Sequence, residues 1–195
     1  MTYTIFAGVN GAGKTSIYSL FDDKENLGIR INSDEIAQGI GDWRNEIVQL
    51  KAARIAVVKI NECIADRVSF NQETTLSGTG IIQTMQKAKA NGFVIKMYYV
   101  FVESLDTAKQ RIRDRVAKGG HGIPEELIER RYMKSFDVLK KAINLCDSVT
   151  IYNNEVMFRS IADIKHGKLE YIDEETPHFM RKLIEESCLC TQSNK

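Results

Sequence analysis

Eight residues near the start of the chain, Gly8-Val9-Asn10-Gly11-Ala12-Gly13-Lys14-Thr15, constrain it more than any other stretch. They satisfy the Walker A spacing G-x-x-x-x-G-K-[ST]. Glycines let the backbone turn so tightly that successive N–H groups point into one concavity shaped for a phosphate. A helix starting near Lys14 adds the positive end of its dipole. Gly8, Asn10, Gly11, Ala12, Gly13, Lys14, Thr15 and Ser16 are therefore the expected nucleotide-binding residues. Lys14 is placed to reach the β- and γ-phosphates, and the Thr15 hydroxyl to take one Mg²⁺ position. The flanks agree. Tyr3–Ala7 reads as a buried strand and Ser16–Phe21 as a short helix. The alternative, a glycine turn without nucleotide, lacks a reason for that strand–loop–helix context.

A chain of 195 residues suits one α/β domain spanning residues 1–195. Its 43% hydrophobic and 27% charged residues are ordinary for a globular protein. A net charge of +1 gives no reason to expect nucleic acid or an acidic membrane as partner. No apolar run approaches the roughly 20 residues that span a bilayer. The chain opens directly into its first strand, so no secretory signal is expected and the cytoplasm is the expected location. Cys63, Cys146, Cys188 and Cys190 show no metal-ligand spacing; Cys188-Leu-Cys190 has the look of a redox pair but reads rather as reduced thiols in a tail.

After a polar connection at 22–26, Gly28–Asn32 reads as a second strand and Asn32-Ser33-Asp34 as the start of a helix. Asp34 is either a helix-capping residue or a carboxylate in the crevice where open α/β sheets bind ligands. In the second role it could orient or deprotonate an acceptor hydroxyl, or hold Mg²⁺ through water. A long helix is expected from about Trp43 to Val68, its apolar positions Ile47, Leu50, Ala53, Ile55, Val57, Val58, Ile60, Ile64 and Val68 packing on the sheet. Ser69–Thr74 is a third strand ending in Glu73-Thr74-Thr75-Leu76-Ser77-Gly78. A carboxylate leaving a central strand must find a partner or water, so Glu73 is either a substrate contact or a structural hydrogen-bonding group, and Thr74 and Thr75 are substrate contacts or plain strand formers. Helix 81–90 and the nearly all-apolar strand Phe93–Val102 follow, as a central parallel strand requires.

Ser104 starts the next helix, on which Arg111, Arg115 and Lys118 share one flank. The glycine-rich break Lys118–Pro124 separates it from a helix that carries Arg130 and Arg131 and runs to about Asn144. Two arginine-bearing helices around a glycine loop suit a phosphate-closing lid over about 111–131. Arginine fits a transferring phosphoryl group because its planar fork binds oxygens bidentately and keeps its charge. Two of the four arginines are expected on phosphate, and Arg115 and Arg131 are taken as that pair. His121 reads as a solvent-facing loop residue. Asp147–Tyr152 is the fifth strand, and the amides of Asn153 and Asn154 either meet the adenine or shape the turn. A hairpin at 158–172, a helix at 175–186 and a frayed tail at 187–195 complete the chain, the hairpin and helix occupying about 155–190.

Four blocks, GVNGAGKT, INSDEIA, ETTLSG and RIRDRVAKGGHGIPEELIERRY, together resemble the zeta-toxin-like P-loop kinase family in its compact bacterial form, over roughly residues 1–154. The resemblance implies a three-layer, nucleoside-kinase-like fold with a parallel five-stranded sheet. It also implies phosphorylation by ATP or GTP, with Mg²⁺, of a hydroxyl on a sugar nucleotide, UDP-N-acetylglucosamine first. Lys14 and Thr15 match the phosphate and Mg²⁺ residues, Asp34 the carboxylate that activates the acceptor, and Glu73 the acidic residue on the substrate side. Arginines of the lid match those that stabilise the transferring phosphate. This chain is shorter than the well-known toxins in the segments that hold the sugar nucleotide, and Asn153-Asn154 stands where compact relatives more often have Asp-Asn. An antitoxin-like protein partner is part of the same implication. The rival reading is a nucleotide-binding switch or regulatory module without kinase activity; no Asn-Lys-x-Asp guanine motif supports a GTPase.

Overall fold

Seven extended segments meet in one sheet, and their composition explains their order. The computed structural model describes residues 1–21, 25–120 and 122–189. Asp22–Lys24 of the expected polar connection, His121, Cys190 and the rest of the tail lie outside the described residues. Strand β1 (Thr2–Gly8) lies at the centre, with Tyr3, Thr4, Ile5, Phe6 and Ala7 all buried. It pairs in parallel with β3 (Phe70–Thr74) on one side and β4 (Val94–Phe101) on the other. Beyond them lie β2 (Ile29–Ile31) and β5 (Ser148–Asn153), also parallel.

The hairpin β6 (Arg159–Lys165) and β7 (Lys168–Ile172) is not a separate appendage. β6 pairs antiparallel with β5, giving the order β2-β3-β1-β4-β5-β6-β7. The expected five-stranded sheet is thus corrected to seven strands, five of them parallel. This pairing, with a register shift between Ile151 and Tyr152, covers the side of β5 that faces away from β4 and removes an open edge beside the core.

Helices cover both faces. On one, Phe6 packs edge-on against Tyr18 of α1 (Lys14–Ser19) and Phe21. On the other, Tyr99 and Phe101 meet Phe136 of α6 (Glu125–Ala142), which also meets Phe179 of α7 (His178–Leu189). Of these rings Phe6, Tyr99 and Phe101 are fully buried, each contributing about 1.5–3 kcal/mol. Helix α7 begins three residues later than expected because Pro177 disfavours helical backbone at the residue before it. It also continues through Ser187, whose buried hydroxyl donates to the Leu183 carbonyl at 2.7 Å, so this part of the expected tail is helical.

Four further helices complete the layers: α2 (Ser33–Ile40), α3 (Glu46–Ala65), α4 (Gly80–Ala90) and α5 (Leu105–Ala117). The expected helix from Trp43 to Val68 is shorter, because Asn45 caps α3 by accepting from the Ile47 N–H. Its packing also differs. The buried stripe is Ala52, Ala56, Ile60, Cys63 and Ile64, whereas Ile47, Leu50, Val57 and Val58 are more than half exposed. Apolar residues occur all round this helix, so its own periodicity could not select the face that packs.

Candidate active site

The glycine loop connects β1 to α1 and is shaped by backbone that side chains would block. At Gly8, with φ of +144°, a Cβ would stand 1.9 Å from the Val100 carbonyl oxygen. At Gly13, with φ of +100°, it would stand 2.8 Å from Asn154 Nδ2 and 2.9 Å from the Phe158 ring. Asn154 Nδ2 donates to the Ala12 carbonyl at 2.7 Å, so the end of β5 braces the loop from outside. Asn153 shapes the following turn, its Oδ1 accepting from the Glu155 N–H while its amide donates to Glu103. Asn153 thus shapes the turn, while the Asn154 amide bonds to the glycine loop.

Lys14 opens α1 with its ammonium buried and donating to the Val9 carbonyl at 3.1 Å. Burial lowers its pKa; Glu73 and Asp34 oppose that, whereas Arg115 and Arg131 add to it. Among the described residues no carboxylate stands within ion-pair distance of Lys14. A desolvated cation in a glycine loop, lacking a charged protein partner, suits an incoming anion. Thr15 is exposed, and its hydroxyl lies 3.0 and 3.2 Å from the two oxygens of Glu73. Ser16 is exposed on α1.

Glu73, next to last in β3, lies at the meeting point of a polar network. Besides Thr15, it accepts from Arg30 and from Asn32 Nδ2, each at 3.1 Å. Arg30 also binds Glu35 at 2.8 Å and lies 3.6 Å over the Tyr18 ring, joining β2, α2, β3 and α1. Thr74 Oγ1 accepts from the Leu76 N–H, and the Thr75 and Ser77 hydroxyls are 2.9 Å apart. These bonds hold Leu76 at φ of +53° in the turn after β3. Helix α2 is capped by Asn32, whose side chain accepts from the Asp34 N–H at 2.9 Å. Asp34 is therefore not the N-cap, and its carboxylate is left for the cleft.

One cleft of about 320 Å³ is lined by Asn10, Gly11 and Lys14, by Asp34, and by Glu73, Thr74 and Thr75, with Arg115 and Arg131 across from them. The structure thus brings together the expected loop lysine, carboxylates, threonines and both chosen arginines. Arg131 is half-buried; burial and Arg130 lower its pKa and Asp34 raises it, so it senses the Asp34 charge. Arg130 is exposed, and Arg111 donates to the Glu155 carbonyl at 3.0 Å, at a different cleft of about 430 Å³ beside Lys118. Ion pairs Lys109–Glu129 and Arg113–Glu125 tie α5 to α6 below the connecting loop.

The residues present fit a Mg²⁺-bound nucleoside triphosphate. The buried ammonium of Lys14, with no carboxylate in ion-pair distance among the described residues, suits phosphate oxygens. A hydroxyl with an adjacent carboxylate, Thr15 with Glu73, suits a cation that keeps most of its ligands as water and phosphate. Sequence reasoning missed Arg30, Asn32, Gln49 and Gln72. Of these only Arg30 carried a signal, as a lone charge between the isoleucines of β2. Gln49 reaches the cleft from α3, and nothing in its neighbourhood announces that.

The Zeta toxin family model matches residues 2–163. An uncharacterized protein of Haemophilus influenzae is 35% identical over 127 residues, which are 65% of this chain and 89% of that protein. The crystal structure of AvrRxo1-ORF1:-ORF2 with ATP is similar with a TM-score of 0.74 at 14% identity, over 94% of this chain and 63% of that one. This chain therefore spans less than two thirds of that relative. A structure from the PezAT chromosomal toxin–antitoxin system of Streptococcus pneumoniae is similar with a TM-score of 0.59 at 15% identity, over 96% and 83% of the two chains.

Proposed function

The chain belongs to the Zeta toxin family, and from that premise we propose a small-molecule kinase that moves the γ-phosphate of ATP or GTP to an acceptor hydroxyl. The observation that carries this reading is the single cleft holding Lys14, Asp34, Arg115 and Arg131. The glycine loop cradles the β-phosphate, and Lys14 spans the β- and γ-oxygens. Asp34 orients the acceptor hydroxyl and takes its proton as the new O–P bond forms and the bond to the β-phosphate breaks. Arg115 and Arg131 meet the charge that spreads over the transferring group. Bound Mg²⁺ supplies neutralisation of the β- and γ-phosphates, and Thr15 with Glu73 are the residues that would hold it. Glu73, Thr74 and Thr75 form the floor on the acceptor side. Catalysis on this reading is positioning and charge complementarity rather than covalent chemistry.

The acceptor we place first is UDP-N-acetylglucosamine, on the family resemblance; other sugar nucleotides and nucleosides are the next group to test. The whole chain acts as one kinase domain with α5, its loop and α6 as the lid, in the cytoplasm, without nucleic acid or membrane as partner. An antitoxin-like protein partner belongs to the same reading, supported by the toxin–antitoxin system that supplied one similar structure.

The test is a ³¹P NMR and mass-spectrometric assay with MgATP and a panel of UDP-sugars, nucleosides and metabolites. Wild type is run beside Lys14→Ala and Asp34→Asn. A phosphorylated acceptor that disappears in both variants is expected. Nucleotide binding without any transfer, indifferent to Asp34→Asn, would replace the kinase by a regulatory binding module.

A further inference from the structure

Beside the cleft of Lys14 and Asp34 lies a second one of about 470 Å³, which the proposed reaction does not use. Gln49, Ile123 and Arg131 line both, so the two are continuous. Their chemistry differs. The first is bounded mainly by charged and hydroxyl groups. The second has Trp43 on one wall and Val116, Ile123, Pro124 and Leu127 of the lid on the other. Arg44 and Glu46 stand at its edge.

Trp43 is held in place by its surroundings. It sits in the turn between α2 and α3, where the Asn45 N–H donates to the Asp42 carbonyl and the Arg44 N–H to the Asp42 side chain. Gln49 Nε2 donates to the Trp43 carbonyl at 3.0 Å, and the Arg44 guanidinium lies 4.4 Å from the indole centre. A narrow pocket lined by Asp34, Ala37, Gln38, Trp43 and Gln49 connects this indole to the carboxylate proposed as the base.

We infer that the acceptor is a two-part molecule. Its hydroxyl-bearing end lies near Asp34 and a flat ring lies in the second cleft, with Trp43 and Gln49 deciding which acceptors are used. This rests on the kinase reading of the first cleft. A flat ring matches a slot with an aromatic residue on one side and aliphatic side chains on the other, because both of its faces are buried without orphaning polar groups. A second polyol end would not suit it, since Val116, Ile123, Pro124 and Leu127 offer no side-chain hydrogen bonds. The Gln49 carboxamide is placed to meet polar atoms on the ring edge. Because Ile123, Pro124 and Leu127 belong to the lid, a ring in this slot also draws the lid, with Arg131, towards the phosphate.

Trp43 is the chain's one tryptophan, so its emission reads this cleft directly. With MgADP bound, wild type is titrated with UDP-N-acetylglucosamine and uridine, and with the counterparts that lack the flat base, N-acetylglucosamine 1-phosphate and ribose. The base-bearing ligands are expected to shift the emission and to bind about tenfold more tightly than those without it, the scale of one stacked ring. By calorimetry, that preference is expected to fall towards one in Trp43→Leu and to shrink in Gln49→Ala, while MgADP affinity, which reports folding, stays as in wild type. Transfer to an acceptor with no emission shift, and with the preference intact in Trp43→Leu, would overturn this inference and leave the kinase standing. An emission shift without transfer to any member of the acceptor panel would overturn the kinase and keep the ring site. Neither shift nor transfer would overturn both.

Discussion

At the scale of single residues, the candidate site depends on charges that cannot be moved without consequence. Asp34 lines the cleft, and its backbone N–H is already used by Asn32. Asp34→Asn is therefore expected to preserve α2 and nucleotide affinity while lowering transfer by about 10²–10⁴-fold, the range for losing a positioned base. Steady-state kinetics beside calorimetric titration with ADP checks this. Arg30 acts at a distance, through Glu73 and Thr15. Its side chain is only 15% exposed and Glu73 only 12%. Arg30→Ala leaves that carboxylate without its arginine, which costs about 3 kcal/mol or more in a buried pair. Urea denaturation reads the loss. Arg30→Lys is expected to recover part of it, because lysine keeps the charge but not the fork that reaches Glu35 and Glu73 together.

At the scale of elements, the helices and the glycine loop are held by contacts that make separate predictions. Tyr132 anchors α6, its phenol donating to the Val102 and Glu103 carbonyls at 2.8 Å each. Burial, with Glu155 and Glu103 nearby, pushes this phenol from its ordinary 10.0 up to about 12. Below pH 10 both folded and unfolded chains keep the proton, so its stabilisation is fully present. As pH rises from 10 through 12 the unfolded chain ionises first, and that stabilisation is lost. Tyr132→Phe is expected to lose about 1 kcal/mol at neutral pH and to fall less steeply in the alkaline range, by thermal melts across pH. The loop between β1 and α1 has no such tolerance. Gly13→Ala forces a left-handed φ on alanine, about 1–2 kcal/mol, and drives a methyl into Asn154 and Phe158. Weaker ADP binding by calorimetry is the expected outcome.

At the scale of the molecule, the site and the structure that supports it occupy different lengths of chain. Every residue of the proposed transfer site lies before residue 132. Yet Ile161, Ile164, Met180, Leu183 and Ile184, all after Asn154, are buried in the common core. At about 1.5–3 kcal/mol each, their loss rivals the total stability of roughly 5–15 kcal/mol expected for a domain. A chain ending at Asn154 keeps all the proposed transfer residues but is expected to show no cooperative melting transition by circular dichroism.

What was legible beforehand follows the same division by scale. The glycine loop could be read because its geometry is set by neighbours along the chain: Gly11 and Gly13 take positive φ, and Lys14 and Thr15 follow at once. The central strands could be read for the same reason, being apolar runs with β-branched and aromatic residues. The face of α3 could not, since its apolar residues surround the helix and only the neighbouring strand and helix select which are covered. The hairpin was readable as a hairpin, but its place beside β5 depends on which edge the sheet leaves open. The sequence alone determined the tightly turned glycine loop between β1 and α1 and the α/β class, because those arise from consecutive residues. The tertiary structure decided that Arg115 and Arg131, rather than Arg111 and Arg130, face Asp34, and that Arg30, Trp43 and Gln49 stand beside them. Such meetings between distant residues depend on how helices seat on the sheet, and no local pattern records that.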